Sequence, residues 1–352
     1  MTNSPKVSII VLSWNALEKT LNCLESILRT DYPNFEIILV DNGSNPETIK
    51  KLKEVYKNHD KIKLILNGKN FGSAEGRNIG FKHSSENSKY IAFFDNDTII
   101  PKEYISQLVE VMENNDEIMG VNGAFANFSE GYPNKNTTMT LVSFDAPYYD
   151  DKLKEMSVRG AVALTGSGCM YNKQFVSPSP FDGDYFFGGE EVYLGLLVYL
   201  RGGKCAKVLH APYQHLSQNS FQGTKSTLAS FHATKNRLMS LYLFFDRKTL
   251  FKLSPLILIS QLTYFFYSPR LMASKLDAYG WLIKNSKKLK NKKDKLQEKR
   301  VVEDKEIIKY MSGKFQDPNI LPNKFGKSLL SIMNFLFLGY CKLLNIKTRE
   351  LS

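Results

Sequence analysis

Val7-Ser-Ile-Ile-Val-Leu-Ser13 is a short, apolar, β-branched run, and its composition predicts a strand buried on both faces. Leu17, Leu21, Leu24 and Leu28 follow at helical spacing, with Glu18, Lys19, Asn22 and Glu25 between them. The alternation then repeats. Asp31 and Pro33 mark a turn, Phe35-Glu-Ile-Ile-Leu-Val40 reads as a second buried strand, and a polar helix is expected after Pro46. Lys63-Leu-Ile-Leu66 is a third strand, Ala74 to Lys82 a helix, and Tyr90-Ile-Ala-Phe-Phe94 a fourth strand. Strands alternating with helices imply right-handed βαβ units, hence an α/β fold with a mainly parallel, Rossmann-like sheet. Such sheets bind ligands beyond the C-terminal strand ends. Asn15, Asp41 and Asp95-Asn-Asp97 all fall at those ends.

Further along, residues 125–160 are polar and read as a long loop or irregular excursion. Structure is expected to resume near Ala163 to Tyr171, and a helix from about Glu190 to Leu200 is stopped by Gly202-Gly203. After residue 225 the character changes. Phe231 to Phe245 reads as helix, and Leu253 to Tyr267 and Ser328 to Ile346 are strongly apolar. Between these two lies Lys284 to Arg300, with nine Lys/Arg and two acids. Neither apolar stretch has 18 uninterrupted apolar residues. Three readings stay open: buried helices of a small helical domain, helices lying in a membrane interface beside the basic block, or a true span.

Of the 352 residues 43% are hydrophobic and 23% charged, a folded composition. The net charge of +12 is unevenly placed. Residues 1–225 hold 23 Lys+Arg and 26 Asp+Glu, whereas 226–352 hold 24 and 9. The division is therefore a near-neutral body, 1–225, and a basic, mostly helical extension, 226–352. Nucleic acid is not an expected partner, because the basic block lacks interleaved aromatics for base stacking. Cys23, Cys169, Cys205 and Cys341 are far apart with no CxxC pair, which argues against a disulfide framework or a structural zinc site and for a reducing compartment. Met1 to Lys6 is polar and Val7 to Ser13 too short for a secretory apolar core, so no signal peptide is expected.

Phe93-Phe-Asp-Asn-Asp-Thr98 carries the sharpest chemical signal. Two carboxylates two residues apart follow an apolar strand, and an extended chain would point both to one side. Like charges repel, so such a pair suits a bound cation, and oxygen ligands favour Mg²⁺ or Mn²⁺, which also take diphosphate oxygens. A solvated turn would use the same residue types. Asn70-Phe-Gly-Ser-Ala-Glu-Gly-Arg-Asn-Ile-Gly80 adds glycines, Arg77 and a helix start, a combination that suits phosphate. Its spacing is neither GxGxxG nor GxxxxGK[ST].

Taken in order, these elements resemble the family 2 glycosyltransferases of the GT-A fold, especially the rhamnosyltransferase-like branch. Val7 to Asn15, Val40-Asp-Asn-Gly-Ser44, the Asn70 to Gly80 segment and Asp95-Asn-Asp97, similar to the family's DxD motif, carry the likeness. Thr165-Gly-Ser-Gly-Cys-Met-Tyr171 resembles the small-residue acceptor-side strand, and Phe181-Asp-Gly-Asp-Tyr-Phe-Phe187 precedes Glu190-Glu191 as the branch's aromatic segment precedes its Glu-Asp pair. His215, after Val208-Leu-His-Ala-Pro212, matches a histidine found there. The resemblance covers roughly 5–245. This chain departs in having Glu191 where Asp is usual, Tyr193 where a further acid is usual, and Leu197 near the place of an arginine.

The resemblance implies inverting transfer of a sugar from a nucleotide-diphosphate donor to a glycan or lipid-linked acceptor hydroxyl. Polyprenyl-phosphate sugar synthesis, or nucleotide-sugar binding without turnover, are the alternatives. By the same resemblance Asn15 and Asp41 contact the nucleoside, and Gly72 and Asn96 line the donor site. Arg77 lies near the nucleoside or phosphate, Asp95 touches ribose or the metal shell, and Asp97 ligates Mn²⁺ or Mg²⁺. His215 is a further metal ligand or a phosphate contact. Glu191 is the first choice for the general base and Glu190 the second. A cytoplasmic protein is expected, peripheral on the cytoplasmic, anionic face of a membrane.

Overall fold

A computed structural model of the chain describes residues 4–125, 135–138, 140–141, 146–149, 158–160, 164, 166–216, 226–267, 269–315 and 324–352. Strand β1 (Val7–Ser13), helix α1 (Leu17–Leu28), β2 (Phe35–Asp41), α2 (Pro46–Tyr56), β3 (Ile62–Leu66), α3 (Gly72–Lys82) and β4 (Tyr90–Asp95) follow the order the apolar pattern predicts. β2 and β4 flank β1 in parallel, and β3 adds to β2. Alternate side chains of these strands enter two separate cores. Ile10, Ile38, Val40, Ile91 and Phe93 pack on one face of the sheet. Ile9, Val11, Ile37, Leu39, Ala92 and Phe94 pack on the other. A strand buried on both sides has no polar face to show, which is why β1 and β2 are legible as continuous apolar runs.

The second half of the sheet is less legible. β5 (Thr98–Ile99), α4 (Tyr104–Glu113) and β6 (Ile118–Phe125) come next, then β7 (Lys135–Thr138), β8 (Ala146–Tyr149), β9 (Val158–Gly160), β10 (Cys169–Asn172), α5 (Lys173–Val176), α6 (Glu190–Leu200) and β11 (Lys204–His215). The sheet runs β3-β2-β1-β4-β10-β6-β11-β5, with β9 also on β11, and β7 and β8 form a separate pair among the described residues. β10 is antiparallel to both β4 and β6, whereas β11 is parallel to β6, so β4, β6 and β11 end at the same edge. The expectation of irregular chain over 125–160 is revised where this interval is described. Three short strands lie there, and β9 takes its partner from β11, some 45 residues on. Pairing supplied from that distance leaves no periodic mark in the local sequence. Thr165 and 161–163 lie outside the described residues.

Helices α7 (Thr227–Phe244), α8 (Arg247–Tyr267), α9 (Met272–Lys284), α10 (Ser286–Gln297), α11 (Asp304–Ile308) and α12 (Lys324–Leu343) complete the chain. Leu197 and Leu200 of α6 share one apolar core with Leu241, Leu289, Ile307, Met311 and Phe337. The basic block is α10, and much of its charge is engaged within the protein. Lys292 Nζ lies 2.7 Å from Asp182 Oδ2 and 2.6 Å from Asp184 Oδ2, and Lys288 Nζ lies 2.7 Å from Asp184 Oδ1. Lys293 Nζ donates to Phe245 O at 2.6 Å, and Gln297 Nε2 to Leu243 O at 2.7 Å.

A chain truncated after Phe245 loses these lysines and the α10–α12 part of the shared core. It is expected to aggregate, or to melt at least ~10 °C below the full chain by circular dichroism. An unchanged melt would show that 246–352 folds as an independent body.

Candidate active site

The C-terminal strand edge gathers the chemistry. β4 ends at Asp95, and the chain turns at Asn96 and Asp97 instead of staying extended. The turn is held from α1, where Thr20 Oγ1 accepts from Asn96 Nδ2 at 2.9 Å. After it, β5 pairs with the far end of β11, setting Thr98 opposite His215 and Ile99 opposite Gln214. Leu216 N donates to Asp97 O at 2.9 Å. The β11–β6 ladder carries a register shift between Val208 and Pro212, resumes at Pro212 and Tyr213, and the next two residues of β11 pair with β5. His215 Nε2 thereby lies 2.9 Å from Asp97 Oδ1 and 3.6 Å from Asp95 Oδ2. The two carboxylates are thus brought together by a turn and a long-range strand pair, and not by the side-chain alternation of one extended strand.

Behind this cluster sits Arg77, almost fully buried. One guanidinium nitrogen is 2.6 Å from Asp95 Oδ1 and the other 3.2 Å from Glu190 Oε1. Burial pulls the guanidinium down, but Asp95 and Glu190 outweigh it and hold its pKa above the ordinary value. The expected place of Arg77 was beside the nucleoside or phosphate. The structure sets it between two carboxylates. The first amides of α3 are also engaged, since Ser73 N donates to Phe186 O at 2.6 Å, and the Ser73 hydroxyl donates to Glu190 Oε1. Gly72 makes this approach possible. Its φ is +82°, and a Cβ there would lie 2.3 Å from Phe186 O. Its conformational freedom admits a protein carbonyl.

Phe186 is itself held at φ +54° by α7. Asn236 Nδ2 donates to Tyr185 O and Phe187 O, both at 3.0 Å, and to Gly188 O at 2.5 Å. Lys235 Nζ donates to Asp184 O, and Tyr185 OH meets Ser240 Oγ. The Phe186 ring stacks on His232 at 5.4 Å. Sequence reasoning missed this set. A signal existed: His232, Asn236 and Ser240 recur every four residues as a buried polar stripe on a helix that was expected. Tyr193, at an acid's usual place, packs edge-on against Tyr185 and Phe244 in the core.

The other expected residues fall as follows. Asp41 is fully buried, and its Oδ1 accepts from Gly43 N at 3.2 Å and Ser44 N at 3.1 Å. Its Oδ2 has no partner among the described residues. Asn15, at φ +51°, ties the ends of β1 and β2 together: its N donates to Ser44 Oγ at 2.9 Å and its Oδ1 accepts from Asn45 N at 2.8 Å. Glu190 and Glu191 open α6, where successive side chains diverge by roughly 100°. Glu190 is the one joined to Arg77, and Glu191 is half-buried beside it.

Ligand atoms of Asp95, Asp97 and His215 lie within 4.8 Å of one another. Two carboxylates and an imidazole, with no thiolate, fit a divalent ion of the Mn²⁺ or Mg²⁺ class. Burial lowers the His215 pKa, but the bond to Asp97 and the Asp95 charge outweigh it and raise it above the ordinary value.

Solved structures define the class of fold. The structure of GalNAc-T7 with UDP, GalNAc and Mn²⁺ aligns with a TM-score of 0.60 at 16% identity, over 79% of this chain and 55% of that one. The mannosyltransferase PcManGT of Pyrobaculum calidifontis, solved with GDP-Man and Mn²⁺, aligns at 0.50 and 13% identity, over 80% and 76%. The fold is that of the GT-A glycosyltransferases. Within it, residues 8–177 match the model of the family described as Glycosyl transferase family 2. The match stops short of Glu190 and His215. An uncharacterized glycosyltransferase of Haemophilus influenzae is 37% identical over 118 residues, 34% of this chain and 36% of that protein. Glycosyltransferase GlyA of Streptococcus pneumoniae serotype 4 is 26% identical over 204 residues, 56% and 29%. The matched stretches thus span only 36% and 29% of these relatives' lengths.

Two predictions follow from the packing around Phe186 and Arg77. Arg77→Met leaves Glu190 buried without its cation and is expected to cost about 3–5 kcal/mol in urea denaturation. Arg77→Lys, whose single ammonium cannot span both carboxylates, should recover only part. For His232, burial and the neighbouring Lys235 push the imidazole from 6.5 down to about 4, against a bond to the Tyr185 backbone. As pH falls from 6.5 to about 4 the unfolded chain takes a proton that the folded chain refuses, so stability drops across that window. His232→Phe should flatten this part of the melting-temperature profile. An identical slope in the variant would refute the assignment.

Proposed function

We propose that this chain transfers a sugar from a nucleotide-diphosphate donor to a hydroxyl of a glycan or lipid-linked acceptor, with inversion at the anomeric carbon. The convergence of Asp95, Asp97 and His215 at the C-terminal strand edge carries the reading. Such a reaction must hold the nucleoside, neutralise the departing diphosphate and take a proton from the acceptor.

Asp41 suits the first task. Its buried, unpartnered Oδ2 is an acceptor that a pyrimidine N–H would satisfy. Asn15 shapes the same wall by joining the β1 and β2 ends, and Gly72 and Asn96 complete the donor side through backbone placement. Asp97 and His215, with Asp95, would hold Mn²⁺ or Mg²⁺. When bound, the ion supplies Lewis-acid stabilisation of charge on the leaving nucleotide. Arg77 acts by fixing Asp95 and Glu190 in place. Both oxygens of Asp95 are then oriented, one to Arg77 and one toward His215.

Glu191 is the general base, with Glu190 second. Glu190 Oε1 is already engaged by Arg77 and Ser73, which ties that carboxylate to α3. A positioned base contributes roughly 10²–10⁴-fold. The motif order favours the rhamnosyltransferase-like branch and a role in polysaccharide assembly.

The test uses purified full-length protein and a panel of nucleotide sugars. Chelation should abolish donor turnover, Mn²⁺ or Mg²⁺ should restore it, and Asp97→Asn should lose it while melting like the parent. Glu191→Gln should lower kcat by roughly 10²-fold or more, with donor-induced thermal shifts retained. Glu190→Gln should lower the melting temperature as well as activity. Full turnover in chelator, or two neutral glutamate variants, would overturn the reading.

A further inference from the structure

The outer faces of α8 and α12 have no role in the site. We propose that they form a surface that docks peripherally on an anionic lipid bilayer. On α8, Phe251, Leu258, Leu262 and Phe266 recur along one stripe, and Phe251 is 81% and Phe266 67% exposed. On α12, Phe335 is 77% and Leu343 80% exposed. Exposed large apolar side chains at this density mark an interaction surface.

The two helices are linked through shared partners, and the buried residues of both join one core. Tyr264 of α8 and Phe337 of α12 both pack against the Phe315 ring, at 5.2 and 5.7 Å. Tyr340 OH donates to Lys252 O at 2.9 Å. Leu253 and Leu256 on α8, and Leu330 and Cys341 on α12, are buried.

Charge decides the occupant. Neither α8 nor α12 contains an Asp or Glu. Arg247, Lys248 and Lys252 rim one end of the α8 stripe, and Lys324 and Lys342 sit at the ends of α12. All five are exposed, and none forms an ion pair among the described residues. Apolar stripes edged by unopposed cations match acyl chains edged by lipid phosphates, where each basic group adds roughly fivefold to binding. A second copy would set cations against cations. Although α8 is long and apolar enough to cross a bilayer, crossing would strip Leu253, Leu256 and Tyr264 from the core. The docking cations of this surface are those on α8 and α12 themselves; on α10, Lys288 and Lys292 are bound to Asp182 and Asp184, whereas Lys287 and Lys295 are exposed with no ion pair among the described residues.

This inference is independent of sugar transfer, and its readout is sedimentation of the full-length protein with vesicles. Wild type should sediment with phosphatidylglycerol–phosphatidylcholine vesicles, not with phosphatidylcholine alone, and high salt should weaken binding. Phe251→Glu with Phe335→Glu should weaken it at least roughly tenfold with an unchanged melt, as both side chains are exposed. Lys248→Ala with Lys252→Ala, a second pair that leaves the apolar stripes intact, should weaken it roughly 25-fold. Absent wild-type binding at low salt, or variants that bind as wild type does, would overturn the proposal. So would a wild-type dimer by light scattering that the Phe variants abolish, or cell-membrane association that resists alkaline carbonate.

Discussion

One buried cation ties three segments together at the strand edge. Arg77 sits almost out of water between Asp95 and Glu190, and three different parts of the fold must agree for it to stay charged there. A buried guanidinium with only one carboxylate would leave donors unsatisfied in a region of low dielectric, and two carboxylates without it would repel. The pairing therefore couples α3, the end of β4 and the start of α6. It also separates the two glutamates of α6 chemically. Glu190 is joined to Arg77 and Ser73, and Glu191, next along the helix, is half-buried.

A second constraint acts through backbone groups. The Phe186 carbonyl meets the first turn of α3, and this needs a glycine at 72 and a left-handed residue at 186. Such a backbone is retained only if its surroundings over-determine it. Asn236, Lys235 and the Lys288–Lys292 pair on Asp184 provide that, so α7 and α10 reach the site through the segment before α6. The C-terminal helices consequently serve two ends. Their inner faces brace the segment before α6, and the outer faces of α8 and α12 remain apolar and cationic.

This arrangement changes the meaning of the basic composition. A count of lysines over 284–300 points to that block as the membrane contact. In the fold, several of those charges neutralise aspartates, and the cations left to solvent beside apolar surface are on helices that look less basic in sequence. Net charge over a segment reports what a surface can attract only after internal pairs are subtracted.

The first four strands, their helices and the acids at their ends were legible from the sequence alone, because the middle of a strand buried on both faces is apolar and polar residues then gather toward its ends. Val7 to Ser13, Phe35 to Val40 and Tyr90 to Phe94 show this plainly, as does the GT-A character carried by their ordered motifs. The meeting of Asp97 with His215 was not legible as geometry. It rests on a two-residue pairing between β5 and β11 across more than a hundred residues, and on a register shift that has no periodic signature. The roles of Glu190 and Gly72, and the grip of His232 and Asn236 on Phe186, were likewise decided by tertiary structure. Hydrogen bonds and burial between distant segments depend on where chains cross, and hydrophobic pattern records only which side of each element faces inward.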